Sequence, residues 1–196
     1  MVRDVRDRKK SELLEFTRLS PFQKRKTEHL SGGMQKKLAL ACSLIHTPEI
    51  LFLDEPTTGV DPISRREFWR MLYALPYLTI FVATPYIDEA ERCNRISLIH
   101  NGKILLVNTP NELKKQITGK VIEMKCDEPY TVSELLKDEK SVISAQTFSD
   151  KIRVLLEDGA DIQKIVSSLT SKGAYAVDVR EVLPNVEDIF ISKLAK

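Results

Sequence analysis

Apolar positions along this chain fall into short runs whose spacing switches between helical and extended periods. The switch is sharpest between His29 and Pro62. Lys36 to His46 carries Leu38, Ala39, Ala41, Cys42 and Ile45 at helical spacing, behind a Ser31-Gly32-Gly33 turn. Ile50 to Leu53 is apolar without a break and runs into two adjacent carboxylates, Asp54 and Glu55. A helix is expected over 63–75, with Asp61 as N-cap and Pro62 at the first helical position. Leu78 to Ala83 is a second apolar run. Two such runs joined through a helix predict parallel strands in a sheet covered on both faces.

Ahead of this stretch, residues 1 to 28 are charged, with a short amphipathic segment at Leu13, Leu14, Phe16 and Leu19. They bring no strand and little apolar surface, so they read as the tail of a larger body. Behind it, a short helix is expected over 86–93. A hairpin follows over 95–107, turning at Asn101-Gly102, the strongest short-range hairpin signal. Thr109-Pro110 caps a helix to about Gln116, ended by Gly119. The rhythm then changes. Strands are predicted at 121–126, 141–147, 151–157 and 175–182, with helices at 131–137 (capped by Thr131) and 162–171. That βαββαβ order matches the ferredoxin-like arrangement. A last helix, 186–194, follows Pro184. The domain boundary is placed between 118 and 119.

Composition narrows the class without choosing a function. The chain has 196 residues, is 42% hydrophobic and 30% charged, as an ordinary globular protein is. Thirty basic against 28 acidic residues leave a net charge of +2, too small for a polyanion-binding field. The Arg-Asp pairs near the start read as a solvated helix face. Cys42, Cys93 and Cys126 are odd in number and lack metal-like spacing, which fits a reducing compartment. No apolar run approaches the roughly 18 residues of a membrane span. His29, His46 and His100 share no spacing and read as surface or cap residues; Trp69 reads as packing.

The chemistry lies in the opening stretch. Charges at a buried strand end are costly unless something cationic is present. The carboxyl ends of parallel strands are also where such sheets bind ligands. Mg²⁺ prefers oxygen ligands and is held through one or two carboxylates plus phosphates. Asp54 would reach the metal, usually through its water, and Glu55 would polarise the water attacking a terminal phosphate. Ser31-Gly32-Gly33 before a helix offers free N–H groups, a dipole end and a hydroxyl, which suit a phosphate. Taken alone, that tripeptide is better explained as an ordinary turn and N-cap.

Together, Leu30-Ser31-Gly32-Gly33-Met34-Gln35, Leu51-Phe52-Leu53-Asp54-Glu55-Pro56 and Gly59-Val60-Asp61-Pro62 resemble the ATP-binding subunits of ABC transporters. They are similar, in order, to that family's signature motif, its Walker B strand with the catalytic glutamate, and its D-loop. The resemblance covers roughly residues 10 to 118. It implies an α/β fold: a P-loop NTPase-like ABC ATPase domain, truncated at its N-terminus, over 1–118, followed by a small α+β ferredoxin-like domain over 119–196. It implies ATP and Mg²⁺ as cofactors, with Glu55 and Asp61 catalytic, Asp54 the metal ligand, and Ser31, Gly32, Gly33, Gln35 and Asp54 binding nucleotide. Two such subunits, identical or different, would sandwich two ATP molecules. Ser31, Gly32 and Gly33 would contact the γ-phosphate bound to the partner's phosphate loop, and Asp61 would couple the sites. Residues 86–93, the hairpin and the ending Leu183 to Phe190 resemble the drug-exporter branch. The implied partner is an ABC-2-type membrane permease and not a nucleic acid, with the chain peripheral on the cytoplasmic face. The segment near Leu13 is either a docking face for that permease or an ordinary half-buried helix.

Two departures stand out. The sequence contains no Gly-x-x-x-x-Gly-Lys-Ser/Thr, the loop that cradles phosphates. Pro85 follows Thr84 where the family pattern has its switch histidine, and proline offers neither an imidazole nor a backbone donor. The expected activity is ATP hydrolysis coupled to export of drugs, lipids or similar compounds. The alternatives are a non-hydrolysing binding or regulatory module and a soluble ABC ATPase without transport.

Overall fold

A computed structural model describes residues 3–194. They form two compact units, one ending at Pro85 and the other beginning at Tyr86. The change of rhythm at 118/119 therefore lies inside the second unit. No helix among the described residues is long and apolar enough to cross a membrane.

The first unit opens with helix α1, Arg3–Phe16, and two short 3-10 turns, Ser20–Phe22 and Thr27–His29. Helix α2, Gly32–Leu44, leads into strand β1, Ile50–Asp54; helix α3, Pro62–Tyr73, leads into strand β2, Thr79–Ala83. Helix α1 packs on α2, and α2 on α3. Residues 1 to 28 contribute more than was expected of a charged tail. Leu13, Thr17 and Leu19 are buried, because their spacing gathers them on one side of the chain while Arg6, Asp7, Arg8 and Glu12 pair on the exposed side. Lys37, almost buried on α2, pairs with Glu67 of α3, and Arg18 approaches the same carboxylate at 3.6 Å.

Strands β1 and β2 pair in parallel, Ile50 opposite Thr79 and Asp54 opposite Ala83. Among the described residues one face of this pair is covered and the other is not. Leu51 is buried, but Ile50, Phe52 and Phe81 are 53%, 72% and 59% exposed, and the two phenyl rings touch at 5.8 Å. A strand turns successive side chains to opposite faces, and among the described residues only the Leu51 side is covered. An unbroken apolar run records that a strand can be buried on both sides; it does not supply the second layer.

In the second unit, α4 is shorter than expected at Ile87–Ala90. Strands β3, Ile96–His100, and β4, Lys103–Asn108, form the predicted hairpin, with Asn101 and Gly102 both left-handed at φ 48° and 72°. Helix α5 is Pro110–Lys114, capped by Thr109. Strands β5 (Lys120–Cys126), β6 (Val142–Phe148), β7 (Lys151–Leu156) and β8 (Ala176–Val182) then form one antiparallel sheet in the order β6-β7-β5-β8. Helices α6, Pro129–Lys137, and α7, Ile162–Ser171, bury Val132, Leu136, Ile165 and Leu169 against Ile122, Met124, Ile152 and Val154. Thr131 does not cap α6, since the helix already starts at Pro129, a residue pre-set for a first turn. Gly119 does not end α5 either. A Cβ there would lie 2.0 Å from the Leu156 carbonyl, so its job is to let β5 start close against β7.

Helix α8, Val186–Leu194, packs Val186 and Ile189 against Ile96, Leu98 and Leu113. Its first turn is a reciprocal cap: Asp188 N–H donates to Asn185 Oδ1, and Asn185 N–H to Asp188 Oδ2. Asp188 also accepts from Arg153 of β7 at 2.8 Å, and Arg153 donates to Glu123 Oε1 at 2.9 Å and to the Leu183 carbonyl at 2.8 Å. Burial of this guanidinium is matched by those partners, and hydrogen bonding to Asp188 is the main reason its pKa is raised.

Candidate functional site

The Ser31-Gly32-Gly33 turn and the loop ending at Asp61 meet at the N-terminus of α2. Ser31 is its N-cap, with extended backbone and an Oγ that accepts from Met34 N–H at 3.4 Å. The helix thus starts at Gly32 rather than at Lys36, and both glycines lie in the first turn, where backbone N–H groups have no intrahelical acceptor. Gly32 is exposed and Gly33 buried. A Cβ on Gly33 would lie 2.7 Å from Ser64 Cβ and 2.8 Å from its Oγ, so the missing side chain is what lets α2 lie against α3. On Gly32 the nearest atom would be the Gly59 carbonyl oxygen at 3.7 Å, which brings the Gly59-Val60-Asp61-Pro62 loop beside the same turn.

Asp61 caps α3, its Oδ1 accepting from Ile63 N–H at 3.0 Å and Ser64 N–H at 2.9 Å. The Ser64 backbone bond is the main cause that lowers its pKa. Gln35 is exposed, and its Nε2 donates to the carbonyls of Thr27 and Leu30 at 3.2 Å each. Its observed work is to tie the preceding 3-10 turn to α2.

Asp54 is the last residue of β1 and is exposed, as is Glu55 after it. Glu55 has a left-handed backbone, φ 42°, which few residues other than glycine or asparagine adopt. Its N–H donates to the Ala83 carbonyl at 2.8 Å, which carries the β1–β2 ladder one residue further. Its carbonyl accepts from Lys36 Nζ at 3.3 Å and Thr58 N–H at 3.3 Å. Its carboxylate Oε2 accepts from Thr58 Oγ1 at 3.1 Å. Beneath this turn Thr57 is buried. Pro85 is exposed at the end of the unit.

Lys36 and Thr58 were not among the expected site residues. Thr58 had a local signal, since hydroxyls two or three residues past a carboxylate commonly close such turns. Lys36 had none, because its acceptor lies 19 residues away.

The donor set suits a metal that arrives with its substrate. No group of three His, Cys, Asp or Glu side chains able to hold a metal ion occurs among the described residues. Mg²⁺ is typically held by one or two carboxylates together with phosphate oxygens and water, and two exposed carboxylates at a strand end fit that pattern. His29, His46 and His100 are exposed, as expected. Trp69 is buried beside Tyr73, with its Nε1 unpaired among the described residues.

Two family profiles match separate parts of this chain. The ABC transporter family profile matches residues 3–58, and that of the ATP-binding protein DrrA1-3-like C-terminal domain matches 109–194. The probable multidrug ABC transporter ATP-binding protein YbhF of Escherichia coli is 37% identical over 186 residues, covering 93% of this chain and 32% of that protein. The daunorubicin resistance ATP-binding protein DrrA2 of Streptomyces coeruleorubidus is 32% identical over 189 residues, 92% of this chain and 59% of that protein. The chain thus spans about a third to three fifths of the length of these curated relatives. Among solved structures, cbiO1 from Clostridium perfringens, part of the cbiONQ transporter complex, aligns with a TM-score of 0.55 and 28% identity over 59% of this chain and 48% of that one. The dimeric MJ0796 cassette, a bacterial ABC transporter cassette, aligns at 0.51 with 27% identity over 56% and 49%.

Proposed function

Because this chain belongs to the family of ABC-transporter ATP-binding proteins, we propose that it works as part of an ATP-hydrolysing subunit driving export through a separate membrane permease. The observation that carries the reading is the Gly59 to Asp61 loop lying against the Ser31-capped first turn of α2, with Lys36 of the same helix reaching the carbonyl of Glu55. The relatives' names suggest the substrate class, since they include a probable multidrug transporter protein, a daunorubicin resistance protein and a Nod factor export protein. In this reading residues 1–118 are the C-terminal part of an ATPase domain and 119–196 an appended ferredoxin-like domain.

Each residue then has a task. Asp54 holds Mg²⁺, which supplies charge neutralisation at the phosphates. Glu55 orients and deprotonates the attacking water. Ser31 and the first N–H groups of α2 receive the γ-phosphate carried by a second copy or a paralogous subunit, where the helix dipole favours negative charge. Asp61, by capping α3 beside that turn, links the two nucleotides across the pair, and Gln35 keeps the turn in shape. The partner is an ABC-2-type membrane permease, with this chain peripheral on the cytoplasmic face of the membrane, and nucleic acid has no part. The test is Glu55→Gln: it should abolish turnover while nucleotide still binds, and undiminished hydrolysis would overturn the role of Glu55.

One observation favours a second reading, a binding or regulatory module that does not hydrolyse ATP: Pro85 stands where the family pattern has its switch histidine. Titration of the isolated chain with Mg-ATP tests the second reading: weak or no binding is expected of it alone, and sub-millimolar binding would overturn that expectation.

A further inference from the structure

We infer that Lys36 and Thr58 are positioning residues for Glu55, setting its backbone and its carboxylate in the direction its role requires. The inference deepens the hydrolytic reading and rests on it. Glu55 follows a strand, and an extended backbone would send it to the face opposite Asp54. The left-handed φ of 42° breaks that alternation. A glutamate pays for such a backbone and stays in it only where the surroundings over-determine it. The surroundings do so through four bonds: to Ala83 O at 2.8 Å, from Lys36 Nζ at 3.3 Å, from Thr58 N–H at 3.3 Å and from Thr58 Oγ1 at 3.1 Å.

The two side chains act on different parts of Glu55. Lys36 fixes its carbonyl and hence its peptide plane. Thr58 fixes Oε2, leaving Oε1 and the remaining lone pair of Oε2 to accept from a water. Lys36 also belongs to the helix whose first turn carries Ser31, Gly32 and Gly33. A ligand that moves that turn therefore acts on the Glu55 peptide through one side chain.

The experiment uses the isotopically labelled 196-residue chain with Lys36→Met, Thr58→Val and the conservative Lys36→Arg and Thr58→Ser. The readouts are the backbone shifts and HN–Hα coupling of residue 55 and the exchange rate of its amide. Met and Val should move residue 55 off its left-handed signature and speed its amide exchange roughly five- to tenfold, the loss expected for one hydrogen bond. Arg and Ser should restore both. Thr58 is exposed, so its variants keep the fold, with Trp69 fluorescence as the check, and Thr58→Val decides alone if Lys36→Met lowers stability. In a subunit that carries both these residues and a phosphate loop, Thr58→Val should lower kcat with KM unchanged and Thr58→Ser should recover it. Unchanged residue 55 signals in both variants would overturn the inference even if Glu55→Gln abolishes hydrolysis. Hydrolysis insensitive to Glu55→Gln would instead overturn the hydrolytic reading, with the residue 55 signals still reporting on the positioning.

Discussion

Replacing Gly33 with alanine tests whether the phosphate-facing turn depends on close helix packing. The new Cβ would sit 2.7 Å from Ser64 Cβ and 2.8 Å from Ser64 Oγ. Carbon atoms rest at about 3.5–4.0 Å, so the helices must part by about 0.8 Å. Rotating Ser64 relieves only the Oγ contact, because Cβ is fixed to the α3 backbone. Such overpacking typically costs about 1–3 kcal/mol. Alanine's better helix propensity recovers at most about 1 kcal/mol, and less in a first turn. The expected net loss is about 1–2 kcal/mol, which for a unit of this size lowers Tm by about 5–10 °C.

The chain's single tryptophan, Trp69, is buried in the first unit, so its fluorescence in urea follows that unit alone. Gly32→Ala is the control, since its Cβ meets only an ordinary 3.7 Å contact, and its midpoint should stay within about 0.5 kcal/mol of the parent. Adding Ser64→Gly removes both clashing atoms, so Gly33→Ala with Ser64→Gly should be more stable than the sum of the singles by about 1 kcal/mol or more. A Gly33→Ala midpoint equal to that of Gly32→Ala, or no coupling with Ser64→Gly, would refute the packing argument.

Three further outcomes are expected. Asp188→Asn leaves the buried Arg153 guanidinium without its main partner and should cost the second unit about 3 kcal/mol, read by circular dichroism in urea; a loss below about 1 kcal/mol would show that Glu123 and Leu183 suffice. Glu67 has its pKa lowered chiefly by the Lys37 hydrogen bond, and Asp61 by Ser64. A lowered carboxylate stabilises above its unfolded pKa and loses that stabilisation as pH falls through the folded one. The Trp69 urea midpoint should therefore be level above about pH 5 and fall in more acid solution, and Glu67→Gln should flatten the fall. Cys42 is exposed while Cys126 is buried, with its thiol pKa pushed up first by that burial. A thiol reagent should label Cys42 at once and Cys126 roughly a hundredfold more slowly, catching up in urea, as peptide mapping would show.

Much of this protein follows from linear pattern. The Asn101-Gly102 hairpin and the Asp61 cap were legible because their physics is local: left-handed backbone at Asn-Gly and a carboxylate accepting from amides two and three residues on. The βαββαβ order was legible because each element carries its own period. Several boundaries were not. Gly32 and Gly33 look like turn residues, yet they begin α2 because Ser31 caps it and Ser64 leaves room only for hydrogen at position 33. Gly119 looks like a helix stop, yet it answers to Leu156, 37 residues away in sequence (156 − 119).

By itself the amino-acid sequence determined which residue types stand together: a Ser-Gly-Gly turn, paired carboxylates after an apolar run, and an Asp-Pro helix start. Those are properties of neighbours, and short-range chemistry reads them. Tertiary structure alone decided that α1 supplies core, that Phe52 and Phe81 meet on the β1–β2 face opposite Leu51, and that Arg153 locks α8 to the sheet. It also decided that Lys36 reaches the carbonyl of Glu55. Each depends on which distant surfaces meet, and no periodicity along a chain records its partner.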